Sequence, residues 1–226
     1  MNPRKHAIWA MTVFALLAHA GVMQAQIVGP QSRERYERRT KGTSIDDFVK
    51  KLSSDEPEER LQAVRSLGES QEPKAIEYLI QAVGDDDVRV RAKAIAMLGH
   101  MKATEATPVL IQYLFLRTTD PKMKTLVLAS LGKIGDQHAA KPILDFLQRD
   151  LDQETRGTAI FALGEIGSSD AEKELTKISQ TAEDPTLRRL ATEALAKVHY
   201  RQASRSAEAK EPSATFLEPN GPPPAR

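Results

Sequence analysis

The stretch DPKMKTLVLASLGKIGDQHAAKPILDFLQRDL, residues 120–151, decides the fold because it contains two helical segments and a turn that recur along the chain. Asp120 is a favourable N-cap residue for the first segment. Apolar side chains then follow at helical spacing, and they do so again over residues 139–147. Gly132 and Gly135 are expected to break the first helix between these two runs. The stretch therefore predicts a pair of helices joined by a short turn.

This unit occurs five times, with the last leucine of each first helix as the reference position. An acidic residue precedes each reference leucine by eleven positions and a basic residue precedes it by seven, and a glycine follows it in four of the five copies. So much agreement at one period is typical of a solenoid. The reference leucines are Leu67, Leu98, Leu131, Leu163 and Leu195, spaced by 31, 33, 32 and 32 residues.

The pattern D-x3-R-x6-L-G, followed by a small residue eight positions after the leucine, resembles the short HEAT-like repeats of the bilin-lyase type. The resemblance covers roughly residues 55–199, and neither the tetratricopeptide nor the ankyrin pattern is present. It implies an all-α fold, a right-handed α-solenoid of about five short HEAT-like helix pairs over residues 44–200. The regular spacing of the acidic and basic residues indicates helix capping and ion pairing along the solenoid rather than a binding site.

The N-terminus resembles a secretory signal peptide. Two basic residues precede an uncharged apolar run over residues 7–18, and small residues follow it. Cleavage fits after Ala20 or after Ala25, and the sequence leaves both open. An uncleaved anchor is the alternative, but the ~20 strongly apolar residues that it needs are absent. We therefore predict a signal peptide over residues 1–25, a periplasmic or secreted location in a bacterium, and no stable membrane insertion after cleavage.

The segments on either side of the predicted solenoid are polar. Residues 26–43 form a basic arm with five basic and two acidic side chains, which is expected to be a solvated linker, although docking to an acidic partner stays open. A helix over residues 44–52 resembles a half repeat that covers the first end of the solenoid. Residues 201–226 predict a disordered, Pro-rich tail, in which the only apolar pair is Phe216-Leu217.

The charge of the predicted solenoid argues against nucleic-acid binding. Residues 44–200 carry 26 acidic and 21 basic side chains, a net charge of −5, whereas binding to phosphates requires a basic stripe. The chain contains no cysteine, so disulfides and a thiol nucleophile are excluded. The expected partner is therefore another protein.

A search for catalytic, cofactor or metal sites predicts none. HEAT-repeat enzymes that bind iron do so through His-Glu pairs, but His100, His138 and His199 lack the following glutamate. The spacing Gly132-x-x-Gly135 could suggest a phosphate loop, but no strand precedes it, and left-handed geometry at a helix end explains it better. No catalytic, cofactor-binding or metal-binding residue is predicted, and the chain is expected not to be an enzyme.

A partner-binding groove is predicted on the second helices, which carry most of the aromatic residues outside the signal peptide. Tyrosine is a favoured interface residue because it buries a large area and keeps a polar tip. Packing of the same rings in the core is the equally weighted alternative. The predicted groove has Tyr78 and Tyr113 at its apolar centre, with Phe146 as a further partner-binding residue. Its polar rim is Glu77, Gln81, Gln112, Lys141 and Asp145.

Three functions agree with these observations. The first is an exported, non-enzymatic scaffold for protein–protein interactions. The second is a chromophore-binding enzyme similar to the bilin lyases, which export argues against because such transfer belongs inside the cell. The third is a permanent structural subunit of a cell-envelope assembly.

Overall fold

The computed structural model describes residues 45–149 and 151–208. The predicted signal peptide (residues 1–25), the basic arm (26–43) and residues 209–226 lie outside the described residues. In the part of the chain that is described, the secondary structure consists of α-helices and three short 3-10 turns, with no strand. The predicted all-α solenoid is confirmed.

The helices alternate between two kinds that follow the sequence repeat. We call α2, α4, α6, α8 and α10 the first helices, and α3, α5, α7 and α9 the second helices, while α1 stands alone before them. No helix in the two described ranges combines the length and apolar character needed to cross a bilayer. The bounds are α1 Ile45–Leu52, α2 Pro57–Ser70, α3 Ala75–Ala82, α4 Val88–His100, α5 Thr107–Phe115, α6 Pro121–Ile134, α7 Ala140–Leu147, α8 Gln153–Ile166, α9 Glu172–Thr181 and α10 Pro185–Glu208.

The described residues from Phe48 onward belong to one compact unit, which contains all first and second helices. Of the other unit, Met1–Asp47, the structure describes only residues 45–47 of α1. Within the larger unit, each first helix packs against the next one, and the second helices pack mainly against first helices. Four of the five reference leucines are fully buried between these layers: Leu67, Leu98, Leu131 and Leu163.

The ends of the first helices have the predicted chemistry. The side chains of Asp87, Asp120 and Asp152 each accept a hydrogen bond from a main-chain N–H of the first turn of α4, α6 and α8, respectively. At the other end, Gly135 and Gly167 adopt φ values of 74° and 67° and cap α6 and α8. Such left-handed geometry favours glycine, which explains both residues without a phosphate site.

The glycine after each reference leucine lies inside its helix, so the expectation that Gly132 breaks α6 is wrong. A Cβ atom added to Gly132 would lie 3.0 Å from Ala162 Cα, and one added to Gly164 would lie 2.8 Å from Ala194 Cα. The missing side chain therefore allows adjacent first helices to approach closely. In each case the glycine faces the residue before the next reference leucine; the other two pairs are Gly68 with Met97 and Gly99 with Ser130.

Helix α10 runs to Glu208, past the predicted solenoid boundary at residue 200. Its last turns contact the C-terminal end of α8. Arg205 donates to the main-chain oxygens of Gly167 and Ile166 at 3.0 and 3.1 Å, where the helix dipole favours a cation. Arg201 binds Glu165 at 3.1 Å. These contacts explain why residues 201–208 are helical and do not belong to the predicted tail.

Candidate functional site

Tyr78 of α3 and Tyr113 of α5 lie along the edge at which the second helices lead into the next first helices. Each ring is half-buried and lines its own depression, of about 210 Å³ for Tyr78 and about 370 Å³ for Tyr113. Asp85 lines both depressions, so they are adjacent. We define the tyrosine edge as Tyr78, Gln81, Asp85, Asp86, Tyr113 and Leu116.

Asp85 is fixed at the centre of the tyrosine edge by Arg60 of α2. The Arg60 Nε and Nη2 groups donate to the two Asp85 carboxylate oxygens, each at 2.8 Å. The main-chain N–H of Asp87 donates to Asp85 Oδ1, also at 2.8 Å. The hydrogen bonds from Arg60 hold the pKa of Asp85 below its usual value. Asp85 is therefore a carboxylate at neutral pH, held in one orientation between the two tyrosines.

The arginines at the repeated basic position bind main-chain oxygens of the loops. The sequence predicted instead that such an arginine pairs with the acidic residue of its repeat, and this is wrong for Arg91. Arg91 Nη1 donates to the main-chain oxygens of Asp85 and Asp86 at 2.6 and 2.9 Å, whereas Asp87 pairs with Arg89. Arg91 thus closes the loop that precedes its own helix. Equivalent bonds to the carbonyls five and six positions earlier are made by Arg60 and Arg188.

Phe146 does not belong to the groove, and the prediction that it binds a partner is corrected. Its side chain is only 1% exposed and packs edge-on against Phe115, with the ring centroids 5.9 Å apart. The Arg149 guanidinium covers both rings, at 4.5 Å from the Phe115 centroid and 5.8 Å from that of Phe146. Tyr113 occupies the same repeat position one unit earlier but stays half-buried. The core alternative is correct for Phe146.

The five predicted rim residues are all exposed, but only one of them lines the tyrosine depressions. Gln81 lines the depression of Tyr78. Glu77 and Gln112 lie on the exposed surfaces of α3 and α5, and Lys141 and Asp145 lie on α7. The structure therefore brings Tyr78, Gln81 and Tyr113 to one edge and leaves the residues of α7 apart from it.

Sequence reasoning missed the residues that connect the two tyrosines. Asp85 and Asp86 come from the loop between α3 and α4, and the 48% exposed Leu116 follows α5. The run of three aspartates that begins at Asp85 was a visible signal, but Asp85 pairs with Arg60, 25 residues earlier in the chain. A comparison of loops between copies would have singled it out, because the other loops carry fewer acidic residues.

The histidines lie on separate parts of the described chain. His138 is 91% exposed and its Nδ1 lies 2.8 Å from Asp136 Oδ1, while His199 lies 3.9 Å from Glu172. His100 is exposed at the end of α4. Within residues 45–149 and 151–208, no three His, Asp or Glu side chains are close enough to hold a metal ion. The three histidines that the structure describes therefore do not share a site.

Comparisons with known proteins agree with this architecture. The chain is similar to phycocyanin lyase in the complex of CpcE and CpcF from Nostoc sp. PCC7120, with 20% identity, a TM-score of 0.58, and coverage of 73% of this chain and 68% of that one. It is also similar to human deoxyhypusine hydroxylase in complex with glycerol, with 19% identity, a TM-score of 0.51, and coverage of 75% and 66%. At such identities the likeness concerns the fold. The comparison with curated proteins gives no match.

The family comparison covers most of the chain. The HEAT repeats family matches residues 45–114, 89–153 and 140–211 in three overlapping segments. These segments together contain every helix from α1 to α10. The chain therefore belongs to the HEAT-repeat family.

Proposed function

We propose that this protein is an exported, non-enzymatic scaffold that binds a protein partner through the tyrosine edge. The observation that carries the proposal is the placement of Tyr78 and Tyr113 in adjacent depressions on either side of the fixed carboxylate of Asp85. Half-buried tyrosines lose little side-chain entropy on binding and offer both an apolar face and a hydroxyl. An extended peptide that follows the edge can contact both rings.

The charge around the tyrosine edge indicates what such a peptide carries. Residues 44–87 contain 12 acidic and 5 basic side chains, so the net negative charge of the solenoid is concentrated at its N-terminal part. Asp85 is already paired with Arg60, whereas the neighbouring Asp86 is exposed. We expect a partner segment with lysine or arginine next to an apolar side chain, and binding that weakens as salt is added.

Two other functions are alternatives to the scaffold. A similar solenoid occurs in a complex of two proteins of a phycocyanin lyase, which supports a protein partner and keeps a chromophore-binding enzyme as the alternative. Export disfavours that alternative, because chromophore transfer belongs inside the cell. A permanent subunit of an envelope assembly differs from the scaffold only in the lifetime of the complex.

The test begins with a pull-down from native envelope extract, using the processed protein to identify the partner. The affinity of that partner is then measured by calorimetry for the double variant Tyr78→Ala/Tyr113→Ala. Loss of two interface tyrosines at about 2 kcal/mol each, about 4 kcal/mol together, predicts a roughly 700-fold weaker Kd. Thermal melting of the variant is recorded beside the affinity.

The matched control is Lys141→Ala/Asp145→Ala, which removes two exposed side chains of a second helix outside the tyrosine edge. It is expected to leave the Kd unchanged. Retained affinity in the tyrosine variant, together with a sharply lower melting temperature, would show that both rings belong to the core and would refute the proposal.

Export is tested separately by mass spectrometry of the protein purified from the native envelope. A mature N-terminus after Ala20 or Ala25 is expected from the apolar run and the small residues that follow it. A chain that still begins at Met1 or Asn2 would contradict cleavage.

A further inference from the structure

A second concave surface lies on the first helices, between α8 and α10, far along the sequence from the tyrosine edge. It has a volume of about 700 Å³, and we call it the α8–α10 groove. Gly157 opens its floor, because a Cβ atom there would lie 3.2 Å from Leu190 Cδ1. Phe161 lines the side of the groove and is 43% exposed, with Lys197 Nζ 4.4 Å from its ring centroid. The residues that define the groove are Asp152, Gly157, Phe161, Leu187 and Leu190.

The repeat itself does not require this groove. The positions equivalent to Gly157 in the other four copies hold larger side chains, and those equivalent to Phe161 hold Arg, Ala, Ala and Glu. An exposed aromatic ring beside a glycine is thus specific to the last junction between first helices. Apolar surface of this kind is costly to leave in water, which indicates an occupant.

The chain beyond α10 has the composition and the length to supply that occupant. Residues 209–226 contain two large apolar side chains, Phe216 and Leu217, next to each other. From Glu208, the end of α10, back to Leu190 the helix covers about 27 Å at 1.5 Å per residue. The eight residues from Glu208 to Phe216 cover about 26–29 Å when extended. A chain that turns back along α10 uses part of this length in the turn, and the remainder reaches the Phe161 end of the groove, which lies beside Lys197, about 17 Å from Glu208 along the helix.

We propose that Phe216 and Leu217 of this chain dock into the α8–α10 groove. Pro212 favours an extended backbone in the residue before it, as the required reach demands. A short tether also makes the local concentration of the pair millimolar, so that two apolar side chains are enough to occupy the groove. The groove is then closed by its own chain, while the tyrosine edge stays open to a partner. This inference is independent of the proposed function.

The chain contains no cysteine, so an engineered pair of cysteines in the full-length protein reports proximity without background. Thr158 lines the groove and Thr215 precedes the docking pair, which gives the variant Thr158→Cys/Thr215→Cys. The control is Thr192→Cys/Thr215→Cys. Thr192 is exposed on α10, two residues from Leu190, and does not line the groove.

Intramolecular disulfide formation is measured for both variants in a glutathione redox buffer by non-reducing electrophoresis and peptide mass. We expect an effective concentration at least tenfold higher for the groove pair than for the control. Adding Phe216→Ser and Leu217→Ser to the groove pair is expected to lower its value to that of the control. Equal values for both pairs, or a groove pair unaffected by the serine substitutions, would overturn the proposal.

A further outcome identifies a different occupant. If the groove pair forms disulfides mainly between two molecules, with a yield that rises with protein concentration, the groove binds a second copy and docking within one chain is refuted. A dye that fluoresces on apolar surfaces gives an independent measurement in the cysteine-free protein. The variant Phe216→Ser/Leu217→Ser is expected to bind severalfold more dye than the natural chain, and unchanged dye binding counts against the proposal.

Discussion

The first and second helices come from the same repeat but have different structural roles. The first helices contact one another through glycines, and a Cβ atom on Gly164 would lie 2.8 Å from the next backbone. The second helices are shorter, pack mainly against first helices, and carry the tyrosine edge. The comparison shows that the glycines of the first helices set the distance between neighbouring repeats. The second helices can therefore vary their surface residues.

The largest expected loss of stability comes from Phe146, a second-helix residue that is buried in the core. Phe146→Ala should lower the free energy of unfolding by about 4 kcal/mol, because it removes a fully buried ring. Tyr113→Ala, at the same repeat position but half-buried, should cost about 1 kcal/mol. Urea unfolding followed by circular dichroism measures both. Equal losses would mean that the two rings share one environment.

The next effect tests the close contact of the first helices. Gly164→Val places a branched side chain against the backbone of Ala194, so the two helices must separate. We expect a loss of about 3 kcal/mol in urea unfolding. The control is Gly84→Ala, whose added Cβ meets only a carbonyl oxygen at 3.5 Å, and it should change stability by less than about 0.5 kcal/mol. A stable Gly164→Val variant would contradict the role assigned to the glycines.

A third prediction concerns the extension of the last first helix. A chain that covers residues 44–200 loses the contacts of Arg201 and Arg205 with the end of α8, whereas one that covers residues 44–208 keeps them. The shorter chain should be less stable by about 2 kcal/mol, because charged groups at a helix end are partly uncovered. Thermal and urea unfolding of the two chains compare them directly. Identical stabilities of the two chains would mean that residue 200 is the correct C-terminal boundary of the solenoid.

The smallest effect is a pH dependence at the tyrosine edge. Because Arg60 lowers the pKa of Asp85, the stability from this pair is complete above the ordinary Asp pKa of about 3.9 and is lost as the pH falls from there through the lowered pKa. Arg60→Met should therefore make the free energy of unfolding fall less steeply between pH 5 and pH 3. Arg65→Met changes an exposed arginine of the same helix and should keep the natural slope. Equal slopes for all three proteins would exclude Asp85 as the source.

The periodic features of the fold could be predicted from the sequence. The capping aspartates and the left-handed Gly135 depend on residues close in the chain, and the structure has both as expected. The contacts of Gly132 and the burial of Phe146 could not be predicted, because each depends on a neighbour in another helix. The helix beyond residue 200 was missed since its polar composition gives no apolar period, and contacts with α8 hold it instead.

The candidate site was predictable only in part for the same reason. Aromatic residues on the second helices indicated a surface, and Tyr78 with Gln81 lies in one depression as the groove hypothesis required. The sequence could not reveal that Asp85 joins the two tyrosine depressions, because Arg60 of another helix, 25 residues earlier in the chain, fixes it. Whether the edge binds a partner stays a prediction.

The glycine contacts also bear on how such a chain can change its length. Each junction between first helices places a glycine against the residue before the next reference leucine. If one period, residues 120–151, were deleted, Gly99 would meet Ala162 where it now meets Ser130, and both are small residues. The cut surfaces would therefore match at this contact. Duplication or loss of a whole unit in the gene then gives a solenoid with more or fewer repeats, without a new interface having to evolve.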